Sequence, residues 1–96
     1  MAHYVAIVED AGPERAVGLW FPDLPGCFSA GEDVDEALRN AEEAIQLYAD
    51  ALADNGKPLP RPRSFAELRD DAALADDLRD HMVALVPYRR GTVQAA

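Results

Sequence analysis

The chain has 96 residues, of which 49% are hydrophobic, and a formal net charge of -9 at pH 7. A chain of this length can bury one modest core, so we expect a single domain over residues 1–96, with its core at about residues 3–88 and a tail at 89–96. No run of 18 or more apolar residues is present and the first residues lack a secretory signal, which excludes a membrane-spanning helix and predicts a cytoplasmic protein.

Three short strands are predicted in the first third of the chain. Tyr4 to Val8 is apolar and β-branched, Ala16 to Phe21 is a second apolar run, and Cys27 to Ala30 is too short for a helix. The turn at residues 10–13 contains Gly and Pro and has the length of a hairpin loop. These features predict a three-stranded antiparallel meander.

A long helix is predicted from about Val34 to Asn55. Asp33 can accept hydrogen bonds from the first turn, and Glu36 stands at the spacing of a capping box. Gly56 supplies a left-handed stop. One face of the helix is apolar and is expected to be buried, through Val34, Leu38, Ala41, Ile45, Tyr48 and Leu52.

Beyond the helix, the chain is expected to return to the sheet. The prolines between Pro58 and Arg63 favour an extended connector, and Ser64 with Glu67 has capping-box spacing for a short helix. A further turn is expected around Ala72 to Arg79, followed by a fourth strand at Met82 to Pro87. The predicted fold class is therefore α+β, with one sheet and the long helix packed on one face.

Residues 32–54 form an acidic segment in which Arg39 is the only cation. Such a surface repels phosphate backbones and attracts basic proteins, so it favours a basic protein partner over nucleic acid. The same acids could serve only to keep a solvated helix face soluble. On composition alone, the second interpretation is the more economical.

No catalytic residue, metal ligand or cofactor is predicted. Glu9 and Asp23 stand near strand ends, where a metal-dependent nuclease would use carboxylates, but neither lies inside a predicted strand. Cys27 is the single cysteine, so it can form no intramolecular disulfide and no zinc site of the usual kind. Pairing of this thiol with His3 or His81 as nucleophile and base is a weaker interpretation than a small core residue.

The segment Trp20-Phe21-Pro22-Asp23-Leu24-Pro25, here called the proline corner, is a second candidate surface. Rigid prolines hold large apolar side chains at low entropic cost, which is typical of an interaction hot spot. Trp20, Phe21 and Leu24 could equally close one end of the core. Together with Glu42 and Glu43 of the acidic helix, the residues of the proline corner are the predicted partner-binding residues.

Direct DNA binding has little support in the sequence. The basic residues beyond the helix are few and scattered, and the stretch after Tyr88 is too short for a helix-turn-helix. The alternative function, a DNA-binding transcriptional regulator, would have to bind DNA through a ribbon strand at Arg89 to Val93 that is paired in a dimer. We expect a homodimer or a higher homo-oligomer, because a four-stranded sheet has edges that need covering.

Several motifs together resemble those of the HicB-like antitoxins. They extend over about Tyr4 to Tyr88 and are Phe21-Pro22-Asp23-Leu24-Pro25-Gly26-Cys27, Ala30-Gly31-Glu32, Glu36-Ala37-Leu38, Ala41-Glu42-Glu43-Ala44 and Leu59-Pro60. The resemblance implies a partial RNase H-like domain of three strands, a long helix and a returning strand. It also implies a protein without catalysis of its own that binds and masks HicA, a small basic toxin that cleaves mRNA.

Two features of the sequence bear on the alternatives to this function. Many HicB-like antitoxins carry a C-terminal DNA-binding module, and this sequence departs from that pattern by stopping at Ala96, so no separate DNA-binding domain is expected. Active nucleases of the RNase H-like superfamily place metal-binding carboxylates on central strands. The first predicted strand, Tyr4 to Val8, contains neither Asp nor Glu, which argues against a nuclease.

Overall fold

The computed structural model describes residues 2–89, which form a four-stranded antiparallel sheet and helices. The elements are β1 (Ala2–Glu9), β2 (Val17–Trp20), β3 (Phe28–Gly31), α1 (Val34–Asp54), α2 (Phe65–Arg69), a 3-10 turn (Ala72–Leu74), α3 (Ala75–Asp80) and β4 (Met82–Tyr88). The strand order is β3-β2-β1-β4, which confirms the predicted α+β fold. The predicted tail at residues 89–96 and the predicted ribbon strand at Arg89 to Val93 lie outside the described residues, apart from Arg89.

The central strand β1 is covered on both faces. Tyr4, Ala6 and Val8 alternate with Val5 and Ile7, and all five are buried. The first three belong to the core between the sheet and α1. The other two point to the opposite face, which explains why residues 4–8 of this strand are all buried.

The core between the sheet and α1 combines large residues from the sheet with small residues from the helix. Alanines on α1 allow the helix to lie close to the strands. The buried residues of this core are Tyr4, Ala6, Val8, Val17, Leu19, Phe21, Leu24, Cys27, Ala37, Ala41, Ile45 and Val86.

The opposite face of the sheet is covered by the chain between α2 and β4. Leu68 of α2 is fully buried. His81, which follows α3, packs edge-on against Trp20 of β2, with ring centroids 5.6 Å apart. Trp20 pairs with Ile7 in the sheet and shares its face, so this contact places the returning chain over the face away from α1.

Both ends of α1 form as local chemistry predicts. The Asp33 side chain accepts a 2.8 Å hydrogen bond from the backbone N–H of Glu36, and the Glu36 carboxylate accepts a 2.6 Å bond from the backbone N–H of Glu32. Gly56 has a φ of 68°, the left-handed conformation that stops the helix. The helix ends at Asp54, one residue before the predicted end.

The segment before β4 is more helical than expected. Ser64 and Glu67 form the predicted capping box of α2. Where the sequence predicted only a further turn, the chain forms the 3-10 turn and α3. The Asp71 side chain accepts a 3.0 Å hydrogen bond from the backbone N–H of Ala73, which starts the 3-10 turn.

Candidate partner-binding surface

The solvent side of α1, with the residues that lead into it, is an acidic surface that we call the acidic face. Arg39 is the only cation between residues 32 and 54. No basic residue lies in the last turn of α1. The exposed carboxylates of the acidic face belong to Glu32, Asp33, Asp35, Glu42, Glu43, Asp50 and Asp54.

Packing of α1 on the sheet determines which side chains are exposed on the acidic face. Ala37, Ala41 and Ile45 are spaced four residues apart and are buried against the sheet. Glu42 and Glu43 follow Ala41 and are both exposed. These two predicted partner-binding residues are therefore accessible to a second molecule.

The acidic face borders the end of β4. A shallow cavity of about 320 Å³ lies between Glu42 and Glu43 of α1 and Tyr88 and Arg89 at the end of the returning strand. The acidic face and the edge of the sheet at β4 are thus neighbouring surfaces.

Among residues 2–89, the large apolar residues that are exposed were not predicted as site residues; they are Phe28, Leu47, Phe65, Met82 and Leu85. Leu47 is 62% exposed and lies on α1 between Glu43 and Asp50, one turn from each. Phe28 is 69% exposed, pairs with Trp20 in the sheet, and lies three residues after the end of the proline corner. The signal for Leu47 was present in the sequence, because this large apolar residue falls outside the buried stripe of α1.

The proline corner directs two of its large side chains inward. Phe21 and Leu24 are 2% and 0% exposed and belong to the core. Their backbones turn tightly, with hydrogen bonds from Leu24 N–H to the Phe21 carbonyl at 3.1 Å and from Cys27 N–H to the Leu24 carbonyl at 3.0 Å. A partner could contact Phe21 or Leu24 only if this corner rearranged.

Asp23 in the proline corner is occupied by an internal contact. Its carboxylate accepts two 2.7 Å hydrogen bonds from Arg63, one from the backbone N–H and one from Nε, and its side chain is 8% exposed. Arg63 also donates to Asp71 at 3.2 Å. The hydrogen bonds to Asp23 and Asp71 raise the pKa of the Arg63 guanidinium. Asp23 thus ties the corner to the connector, defined as residues 57–63.

The remaining residues of the proline corner are accessible to different degrees. Trp20 and Pro22 are half-buried and Pro25 is exposed. The Pro25 carbonyl accepts a 2.9 Å hydrogen bond from the Tyr48 hydroxyl, which fastens the corner to α1. Tyr48 lies ~8 Å along the helix axis from Glu43. The proline corner is therefore fastened to α1, the same helix that carries the acidic face.

The buried titratable groups of this region favour packing over catalysis. Burial raises the pKa of the Cys27 thiol, which keeps it protonated and a poor nucleophile. Burial, followed by the charges of Asp23 and Tyr88, raises the pKa of Tyr4, whose hydroxyl donates to the Pro60 carbonyl. Among residues 2–89, no group of three or more His, Cys, Asp or Glu side chains could hold a metal ion.

No helix within the described part of the chain is both long and apolar enough to cross a membrane.

The sequence matches one family model over almost its whole length. Residues 4–94 match the model of the HicB-like antitoxin of bacterial toxin-antitoxin systems. The chain belongs to the HicB-like antitoxin family. Membership in the HicB-like antitoxin family confirms the resemblance that the proline corner and the acidic helix carry.

Solved HicB structures have the same fold. The antitoxin HicB of Burkholderia pseudomallei superposes with a TM-score of 0.76 at 26% identity, over 94% of this chain and 65% of the HicB chain. A HicA3 and HicB3 toxin-antitoxin complex contains a chain that superposes with a TM-score of 0.70 at 28% identity, over 91% of this chain and 98% of that chain. This chain therefore spans only part of the first antitoxin and nearly all of the second matched chain.

Two relatives match shorter segments of this chain. A UPF0150 protein of Thermoplasma acidophilum is 38% identical over 61 residues, which are 64% of this chain and 86% of the relative. An uncharacterized 14.9 kDa protein of Haemophilus phage HP1 is 45% identical over 40 residues, which are 42% of this chain and 30% of the phage protein. The chain thus matches less than a third of the phage protein's length.

Proposed function

We propose that this protein is an antitoxin that binds and neutralises a small basic HicA-type toxin, an mRNA-cleaving ribonuclease, in the cytoplasm. It does so without catalysis of its own. The observation that carries the proposal is the acidic face, where Glu42 and Glu43 are exposed and Arg39 is the only cation. Membership in the HicB-like antitoxin family, and the toxin seen with a related chain, support a toxin as the partner.

The charge of the acidic face suits a toxin that acts on RNA. A ribonuclease must present cations to the phosphate backbone of its substrate. An acidic surface steers such a protein into encounter and competes with RNA for the same cations. Binding to the acidic face would therefore also block the substrate.

An exposed apolar residue supplies the short-range part of the proposed interface. Leu47 lies within the acidic face, one turn from Glu43 and from Asp50. Large apolar side chains surrounded by charged residues are typical of interface hot spots. In this proposal Trp20, Pro22 and Pro25 contact the toxin, while Phe21, Asp23 and Leu24 hold the corner in shape.

We further propose that the protein forms a homodimer. The sheet has two edge strands, β3 and β4, and neither is paired with a second strand on its outer side within residues 2–89. Unpaired edges favour association with another chain.

Charge reversal of the acidic face tests the proposed function. A small basic HicA-type toxin is titrated by calorimetry with wild-type protein and with the double variant Glu42→Lys, Glu43→Lys. We expect the variant to bind about tenfold more weakly or worse, because two favourable charges become repulsive. Wild-type binding should also weaken as salt is raised from about 0.1 to 0.5 M, because salt screens exposed charges.

The double variant Glu9→Lys, Glu14→Lys is the matched control. It makes the same change in net charge at two exposed positions outside the acidic face, at the end of β1 and in the turn that follows. We expect near wild-type affinity. Equal weakening by both double variants would contradict a role for the acidic face in particular, and failure of the wild-type protein to bind the toxin would contradict the function.

A further inference from the structure

The edge of the sheet at β4 is open and is bordered by carboxylates on one side. β4 pairs with β1, and no described strand lies on its other side. Val86 belongs to the core under α1, whereas Leu85 points to the opposite face and is 62% exposed. On the α1 side, Glu42 and Glu43 line the shallow cavity next to Tyr88. A further strand at this edge would therefore meet carboxylates on one face and an apolar side chain on the other.

We propose that the toxin adds a strand to the sheet at β4, through an extended segment in which basic and apolar side chains alternate. The alternation follows from the geometry of a strand, because successive side chains point to opposite faces. The basic side chains of the segment face Glu42 and Glu43, and its apolar side chains cover Leu85. Main-chain hydrogen bonds supply affinity, and the alternating side chains supply selectivity. This proposal rests on the antitoxin function proposed above and names how the toxin docks.

Pro87 limits the length over which main-chain pairing is possible. It has no backbone N–H, so continuous pairing with a further strand covers residues 82–86. Beyond Pro87, the next side chains of the added segment reach the cavity between α1 and Tyr88. The main-chain hydrogen bonds and the charge contacts therefore lie at different ends of β4.

Charge decides between a basic segment and a second copy of this chain. Glu42 and Glu43 are exposed at the border of the edge, and Arg89 is the only cation among the described residues that line this cavity. The lining therefore keeps a negative charge. Two copies paired through β4 would each bring this border and a net charge of -9 to the contact, which repels them, whereas a basic segment is attracted. The homodimer proposed above therefore forms at another surface.

The other edge of the sheet is less suited to strand addition. β3 has only four residues, whereas β4 has seven. The Ala30 carbonyl of β3 already accepts a 2.9 Å hydrogen bond from the Asn40 side chain. β3 therefore offers a further strand fewer backbone groups than β4 does, which makes it an internal control for the experiment below.

Hydrogen–deuterium exchange of backbone amides tests strand addition in the unmodified protein. Exchange is followed for the protein alone and in complex with a small basic HicA-type toxin. The amides of residues 82–86 that point away from β1 should exchange at least about tenfold more slowly in the complex, because the edge N–H groups gain acceptors. The amides of β3 should exchange at the same rate in both states.

The outcomes of the exchange experiment separate the docking mode from the antitoxin function. A complex in which β4 exchanges as fast as in the free protein would contradict strand addition and leave neutralisation intact. Absence of any complex would overturn both proposals. Amides of β4 that are protected without toxin, and more strongly at higher protein concentration, would assign this edge to a second copy and overturn strand addition by the toxin.

Leu85→Lys and Phe65→Lys form a matched pair of variants for the same proposal. Both residues are apolar and exposed, but Leu85 lies on β4 and Phe65 lies on α2. We expect Leu85→Lys to bind the toxin about tenfold more weakly, because an apolar contact is lost and a like charge meets the basic segment. Phe65→Lys should bind with near wild-type affinity.

Circular dichroism establishes that both variants are folded. A folded Leu85→Lys protein that binds the toxin as tightly as Phe65→Lys would contradict docking at β4. The exchange experiment uses the wild-type protein, so it decides the question even where Leu85→Lys does not fold.

Discussion

Asp23 is the residue through which the proline corner holds the connector. Its nearly buried carboxylate accepts two 2.7 Å hydrogen bonds from Arg63. Asp23→Ala removes the acceptor for both donors, and leaving partly buried donors without a partner is costly. We expect the free energy of unfolding, measured in urea, to fall by about 1–3 kcal/mol.

Asp76→Ala is the matched control for this anchor. Asp76 also accepts a short hydrogen bond from an arginine, Arg79 at 2.8 Å, but its side chain is 83% exposed. Exposed ion pairs contribute little to stability, so we expect no measurable change. Equal losses in the Asp76 and Asp23 variants would contradict the anchoring role of Asp23.

Cys27 is a reporter for opening of the same corner. The residue is 4% exposed, and burial raises the pKa of its thiol. A thiol-specific reagent at pH 8 should therefore react slowly with the native protein and rapidly with protein unfolded in urea. Immediate, complete reaction of the native protein would mean that the corner opens freely.

At the scale of elements, β3 and α1 meet at Gly31 with no space for a side chain. A Cβ atom there would lie 2.5 Å from the Ala37 backbone nitrogen and 2.8 Å from the Glu36 Cβ. Gly31→Ala must push β3 away from the first turn of α1, and we expect urea denaturation to show a loss of about 1–3 kcal/mol. Gly18→Ala is the control, because nothing lies within 4 Å of its Cβ position. Equal stability of the two variants would show that β3 and the first turn of α1 can move apart without cost.

Helix α2 and the 3-10 turn should lose their polar support in acid. The hydrogen bond from the Ser64 backbone, then that from Arg61, lowers the pKa of Glu67, and bonds from the Ala73 backbone and Arg63 lower that of Asp71. A carboxyl whose pKa is lower in the folded state stabilises the fold above its unfolded pKa, roughly 4. That stabilisation is lost as the pH falls through the lowered folded value.

The variant Glu67→Gln isolates this effect from general acid unfolding. We expect it to be less stable than wild type at pH 6, and the difference in unfolding free energy to shrink as the pH falls from about 5 to 3. Urea denaturation at each pH measures the difference. A gap that stayed constant across this range would show that the charge of Glu67 does not contribute.

Elements set by local signals were predictable from the sequence. The start of α1 follows from the side chain of Asp33, its end from the backbone freedom of Gly56, and α2 from the capping box of Ser64. Each signal acts within a few residues, so no knowledge of the rest of the fold was needed. The strands were found by their apolar runs, with ends shifted by one or two residues because pairing partners decide where a strand stops.

Contacts between distant parts of the chain were not predictable in the same way. Asp23 and Arg63 are 40 residues apart, and nothing near either one indicates the other. The burial of Phe21 and Leu24 depends on α1 covering the corner, so sequence alone left their role open. Leu47 is different, since its position outside the apolar stripe of α1 already marked it as exposed.

For the whole molecule, the uneven distribution of charge concentrates carboxylates on one surface, the acidic face of α1. Such a surface attracts a basic protein and repels the phosphate backbone of nucleic acid.

Neutralisation of a toxin is the central property proposed for this protein. The most direct measurement is RNA cleavage by a small basic HicA-type toxin, titrated with increasing amounts of the protein. We predict that cleavage stops near a stoichiometric amount of wild-type protein and persists with the variant Glu42→Lys, Glu43→Lys. Undiminished cleavage in the presence of a large excess of folded wild-type protein would contradict the account.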